Sequence, residues 1–152
     1  MADGGYTCNE CNFQVWIPIA ELGISHVGLY DDARFPGRCI VVLNRHEESL
    51  HSLSSDEADQ FFRDAMSVGR ALSVELKAEK VNYAVLGNSE PHLHWHVIPR
   101  FSSQEQNPLR PPWEHPERAS TLGDLAISHL ADRIRTALDV ASQDAEVTST
   151  SR

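Results

Sequence analysis

No stretch of this sequence approaches the roughly 18 consecutive apolar residues of a membrane span. Its start, Met1-Ala2-Asp3-Gly4-Gly5, lacks both the basic end and the apolar core of a signal peptide. A soluble, cytoplasmic protein with no membrane partner is the expectation. Basic charge is scarce as well: 13 Lys and Arg stand against 22 Asp and Glu, a formal net charge of −9. That balance disfavours a nucleic-acid backbone or an anionic membrane as partner, while leaving room for a small phosphate pocket. Of cysteine there are only Cys8, Cys11 and Cys39, which cannot all pair, and a cytosolic setting disfavours disulfides in any case. Metal binding is therefore the question for the first two. No internal repeat is visible, and 152 residues suit one domain with a sizeable core.

Along the chain, residues 1–7 are expected to be mobile up to the Cys8-Asn9-Glu10-Cys11 knuckle. Residues 13–19 form a β-prone run that Pro18 places at a sheet edge or ends early. A short strand over 25–30 closes at Asp31-Asp32, and Phe35-Pro36-Gly37 turns the chain into Cys39-Ile40-Val41-Val42-Leu43, which reads as a buried central strand. Ser54 and Glu57 have the spacing of a capping box, opening a long amphipathic helix to about residue 77. A strand over 81–86 follows, then a connection short enough for an antiparallel hairpin. Beyond Arg100 lies a Pro-rich loop with Trp113 as its expected anchor. A second helix is expected from a Thr121 cap, with Leu122, Leu125, Ala126, Leu130, Ile134 and Leu138 on one face. The domain is drawn as 1–141, with 142–152 as a disordered tail.

The chemistry gathers in Pro91-His92-Leu93-His94-Trp95-His96-Val97-Ile98-Pro99. Histidines at alternate positions have the period of a half-buried strand, one face imidazole and the other apolar. Three buried imidazoles on one face each need a partner, so the stretch reads as a site rather than as core. A single metal cannot easily collect all three, because positions i and i+4 on a strand lie about 13 Å apart whereas zinc needs each nitrogen within about 2.1 Å. Two neighbours could chelate, which leaves a zinc hydrolase using strand histidines as one alternative.

His92-x-His94-x-His96 followed by Val97-Ile98 resembles the signature of the histidine triad (HIT) family. The resemblance extends from about residue 8 to 101 and takes in Phe35-Pro36-Gly37, the strand from Cys39, Asn44-Arg45-His46, Leu53-Ser54 and Pro99-Arg100. It is nearest to bacterial HIT-like and dinucleoside-polyphosphate hydrolase-like branches. The resemblance implies an α+β HIT-like fold with an antiparallel sheet of about five strands, one long helix and a C-terminal helix, often paired as a homodimer. It also implies cleavage at the α-phosphate of a nucleoside-phosphate substrate through a covalent nucleotidyl-histidine, with His94 as nucleophile and His96 donating to the phosphate. The substrate would be a dinucleoside polyphosphate or a nucleoside phosphoramidate; a non-catalytic nucleotide-binding protein is the further alternative. Asn88 and Ser89 fall where relatives contact phosphate, and Asp31, with Asp32 as competitor, falls near the ribose-binding position.

C-x-x-C alone leaves metal binding open. In HIT relatives that carry it, and in galactose-1-phosphate uridylyltransferase-like proteins, two histidines complete a structural zinc site. Here these are His46 and His92 beside Cys8 and Cys11, with His51 as rival if the register slips by a turn. The chain departs from the pattern in three ways. The glycine-rich loop before the triad is shortened, Glu90 adds an acid near the phosphate position, and Arg38 replaces a frequent histidine.

Overall fold

In the computed structural model of the chain residues 5–149 are described, with side chains through residue 141. Five strands and two long helices follow in order: β1 (Pro18–Glu21), β2 (Ser25–Leu29), β3 (Cys39–Leu43), α1 (Ser55–Glu75), β4 (Lys80–Ala84), β5 (His94–Arg100) and α2 (Asp124–Ser149). The strands form one antiparallel sheet in the order β1-β2-β3-β5-β4, and the fold is α+β as expected.

Strand alternation gives the sheet two unlike faces. Val41, Leu43 and Val97 point toward the helices, where Phe61, Ala65, Val68 and Leu72 supply the α1 stripe at i, i+4, i+7 and i+11. Ser54 caps that helix as its spacing predicts: it accepts the Glu57 N–H at 3.3 Å while Glu57 takes the Ser54 N–H at 3.0 Å. Buried Asp64 fastens α1 to the start of β2, accepting from Ser25 Oγ at 2.6 Å and the Ile24 N–H at 3.0 Å. Gly69 interrupts the helical run where a Cβ would strike the Tyr83 ring of β4, so the residue is fitted to a close approach.

Ile40, Val42, His94 and His96 belong to the opposite face. Their cover is the N-terminal segment, where Cys8, Phe13 and Val15 pack against Val42 and Ile40. Residues 5–7, expected to be mobile, are fixed there: Thr7 bridges to Gln14, and the Tyr6 hydroxyl donates to the Asn44 carbonyl at 2.9 Å. The β-prone run over 13–17 is spent on this cover rather than on a strand, and β1 starts only at Pro18.

Three other expectations are revised. Trp113 does not anchor the Pro-rich loop, being 65% exposed. The loop is held by a buried ion pair, Arg100 to Glu105 at 2.6 Å, with Arg100 also donating to Asn82 Oδ1 at 2.7 Å. Helix α2 begins at Asp124: Gly123, at φ +92°, lies outside the helical region and its carbonyl accepts the Ile127 N–H at 3.0 Å, while the Leu122 N–H donates to Asp31 Oδ1 at 2.8 Å. Its buried stripe is Ile127, Ala131, Ile134 and Leu138, and Leu125 is 87% exposed. The helix also runs past residue 141 to Ser149, where a tail without helix is expected from the sequence. Among the described residues no helix is long and apolar enough to cross a membrane.

Candidate functional site

The triad is divided by the onset of β5. The strand starts at His94, which pairs with Val42, and His96 pairs with Ile40, so these two imidazoles share one face as their spacing predicts. His92 lies in the bend before the strand. Leu93 donates its N–H to the Glu47 carbonyl at 2.7 Å and its carbonyl accepts the Leu43 N–H at 3.1 Å, which turns the chain at this point. The first histidine is therefore set off the strand, with the Phe13 ring 5.4 Å from its own and 5.1 Å from that of His94.

Hydrogen bonds fix the proton positions on all three rings. A peptide carbonyl can only accept, so the 2.6 Å contact between His94 Nδ1 and the His92 carbonyl puts the proton on Nδ1 and leaves Nε2 as a bare lone pair. Arginine can only donate, so Arg38 Nη2, 3.1 Å from His96 Nδ1, makes that nitrogen the acceptor and leaves the proton on Nε2. Two adjacent rings, 4.9 Å apart between centroids, thus have opposite tautomers: one free nucleophilic nitrogen beside one free N–H donor. Burial lowers the pKa of His94 even though its carbonyl bond works the other way. Burial first, then the Arg38 charge, brings His96 to about 4. Both rings are therefore neutral near pH 7, one presenting a lone pair and the other an N–H.

Arg38 is itself held by Asp32, whose Oδ2 accepts from Arg38 Nη1 at 3.0 Å and from Arg34 Nη2 at 2.8 Å. Burial opposes the Asp32 charge, but hydrogen bonds from Arg34 and the two guanidinium charges outweigh it and keep the carboxyl below its ordinary range. Asp32 is wholly buried and lies behind the site rather than in it. Asp31, Asn88 and Ser89 do line the cavity beside His94 and His96, an open hollow of about 880 Å³. Its far wall is residues 12–17, including Trp16, which is 83% exposed. Sequence reasoning missed this wall and the grip of Arg38 on His96. A lone arginine beside an apolar central strand was the available signal for the latter.

Cys8, Cys11, His46 and His92 come together, their ligand atoms all within 4.8 Å of one another; His51 is exposed and is not among them. Cys8 Sγ is 3.7 Å from His46 Nδ1 and Cys11 Sγ is 3.4 Å from His92 Nδ1. A tetrahedron with zinc–sulfur of about 2.3 Å and zinc–nitrogen of about 2.05 Å has sulfur–nitrogen edges of about 3.6 Å, so the donor set fits zinc in spacing and in chemistry. His92 Nε2 donates to the Leu43 carbonyl at 2.8 Å, which leaves Nδ1 bare toward the cysteines. Burial works against a Cys8 thiolate, yet the Cys11 and Glu10 backbone N–H groups and the Cys11 and His46 side chains bring its pKa down to about 6. All four positions expected from the sequence are thus in one place. His94 and His96 have no third ligand of this kind among the described residues, which leaves the strand-borne zinc hydrolase without a coordination set.

Comparison with known proteins bears on the family and the fold. The family model described as the HIT domain matches residues 21–103. A histidine triad protein from Sinorhizobium meliloti superposes with a TM-score of 0.72 at 29% identity, over 80% of this chain and 88% of that one. A zinc-bound histidine triad family protein from Mycobacterium smegmatis shares the fold at 18% identity, TM-score 0.62, over 84% and 86% of the two chains. A bis(5'-adenosyl)-triphosphatase of Saccharomyces cerevisiae is 32% identical over 72 residues, 43% of this chain and 35% of the relative. The chain thus spans about a third of the length of that curated relative, at 35%. With its domain match, its sheet and its paired strand histidines, this chain belongs to the histidine triad (HIT) family.

Proposed function

We propose that the protein is a nucleotide hydrolase that cleaves at the α-phosphate of a nucleoside-phosphate substrate through a nucleotidyl-His94 intermediate. One observation carries this reading: the opposed tautomers of His94 and His96 on one strand face, open to a cavity. His94 Nε2 attacks the α-phosphorus, and the bond from phosphorus to the leaving group breaks with its electron pair staying on that group. His96 Nε2–H hydrogen-bonds the phosphoryl or leaving oxygen where negative charge develops. Water then displaces His94 and releases the nucleoside monophosphate. Asn88 and Ser89 contact the phosphate and Asp31 the ribose, a role that Asp32 is too buried to share.

Zinc at Cys8, Cys11, His46 and His92 is structural in this reading, because four protein ligands leave no open coordination position. It would fix the backbone of His92, to which His94 donates. A homodimer belongs to the same reading: β4 ends the sheet with no strand beyond it among the described residues, whereas Arg135 covers the Pro18 and Ile19 carbonyls of β1.

The test is to incubate the protein with diadenosine triphosphate, quench in base, and look by mass spectrometry for an acid-labile adenylyl adduct on His94. An adduct that is absent from His94→Ala and survives chelation is the expected result. Turnover that needs metal and leaves no adduct would point to the zinc hydrolase, and nucleotide binding with neither would point to a non-catalytic binder.

A further inference from the structure

Asp32 holds more positive charge than it needs. Arg34 alone matches it, donating from Nε to Oδ1 at 2.9 Å, from Nη2 to Oδ2 at 2.8 Å and from its backbone N–H to Oδ1 at 3.0 Å. Arg38 adds a second guanidinium, with Nη1 3.0 Å from Oδ2, so one wholly buried carboxylate meets two permanent cations. The second meets a cost there: its Nε is buried without a hydrogen-bond partner among the described residues. Neutralising Asp32 therefore does not explain Arg38.

What Arg38 gains is His96. Its guanidinium is fixed at three points: Nη1 on Asp32, Nη2 3.1 Å from His96 Nδ1, and Cζ 4.2 Å from the centroid of the Tyr30 ring. The backbone closes the same loop, because the Tyr30 N–H donates to the Arg38 carbonyl at 2.8 Å and the Arg38 N–H to the Phe35 carbonyl at 3.0 Å. Arg38 is also the one permanent cation among the described residues of the cavity wall. A free arginine in such a wall would fork onto phosphate oxygens. This one has both Nη atoms engaged by the protein.

We infer that Asp32 is a positioning residue: through Arg38 it holds His96 in the Nε2–H tautomer and directs the cavity's arginine to the ring rather than to phosphate. Its place in the reaction rests on the reading of His96 as donor to the phosphoryl group. With Nδ1 taken by Arg38, the ring proton sits on Nε2, where it can meet developing negative charge. In the other tautomer Nε2 would turn a lone pair toward that charge. Asp32 touches no substrate in this scheme and acts through the guanidinium alone.

Long-range proton–nitrogen correlation NMR near neutral pH reads the tautomer of each ring without turnover, His96 being assigned by its absence from His96→Asn. Wild-type His96 is expected as Nε2–H alone, and Asp32→Asn, which frees Arg38 but keeps its charge, is expected to show both tautomers. The same variant should lose about tenfold or more in kcat on diadenosine triphosphate. Its AMP affinity by calorimetry should stay equal or tighten, because the released Arg38 can reach phosphate; a merely structural role would weaken both. Arg38→Lys, which keeps the charge but lacks the planar fork, is expected to show the same mixed tautomers and serves if Asp32→Asn fails to fold. An unchanged His96 tautomer in the folded variants, or AMP affinity falling in step with kcat, would overturn the inference. A wild-type chain that turns nothing over, with the tautomer shift present in the variants, would sink the hydrolase reading and leave the hold of Asp32 on His96 standing.

Discussion

The ring of His94 donates to the backbone oxygen of His92 at 2.6 Å, while the ring of His92 itself turns away toward Cys11, 3.4 Å distant. A single residue therefore serves both sites, its carbonyl orienting the His94 ring and its imidazole facing the cysteines. His94→Ala removes the nucleophilic nitrogen and should lower turnover by about a thousandfold or more while leaving nucleotide affinity within a few-fold. Single-turnover kinetics and equilibrium binding on the same preparation measure the two effects separately.

The depressed pKa values of the two cavity histidines give a second prediction. The folded protein resists protonating them, burial being the first cause for both, whereas in the unfolded chain they take up protons near 6.5. As pH falls from 6.5 toward about 4, where His96 protonates, the unfolded state binds more protons and stability drops. Above that window these groups contribute no pH dependence. Urea midpoints should decline from about pH 7 to about pH 5, and the acid limb of turnover should lie below the ordinary histidine value. A midpoint that rises on acidification would contradict the assignment.

Removing a zinc ligand should act on metal content, stability and the cavity together. Phe13, two residues past Cys11, has its ring 5.4 Å from that of His92 and 5.1 Å from that of His94, and residues 12–17 form the cavity wall. Cys8→Ser is expected to abolish stoichiometric zinc by elemental analysis, lower the Tm by several degrees, and weaken AMP binding. Full zinc retention by this variant would refute the four-ligand site.

Arg100 and Glu105 lie almost entirely out of solvent and pair at 2.6 Å. Glu105→Ala strands the guanidinium beside Phe35 and should cost about 3 to 5 kcal/mol in chemical denaturation. Replacing the exposed Glu114, which pairs with Arg110 on the surface, should cost less than about 1 kcal/mol. Equal effects of the two substitutions would show that the loop is anchored elsewhere.

Features that depend on local spacing were legible in the sequence. Ser54 and Glu57 announce their helix, Cys39 to Leu43 its central strand, and His94 and His96 their common face. The HIT resemblance brought Cys8, Cys11, His46 and His92 together, which spacing alone could not do. Features decided by tertiary partners were not legible. Arg100 and Glu105 look like surface charges until the fold buries them against each other, so the bulky Trp113 drew the anchor role instead. The α2 stripe slipped because Leu125 and Ala126 are apolar yet exposed, and the packing of Ile127 and Ala131 into the core decides the buried face. His92 lies outside β5 because Glu47 and Leu43 claim the backbone of Leu93, and neither bond has a counterpart in hydrophobic period.

The cover of the histidine face also sets an order of assembly. Its contacts are among the longest-range in the chain: Cys11 to His92 spans 81 positions and Tyr6 to His92 spans 86. Loop closure over such separations comes late, after the hairpin of β4 and β5 and the docking of α1 have supplied local contacts. The four clustered side chains are thus spread from residue 8 to residue 92, and the cavity gains its wall only when residues 12–17 return to β5.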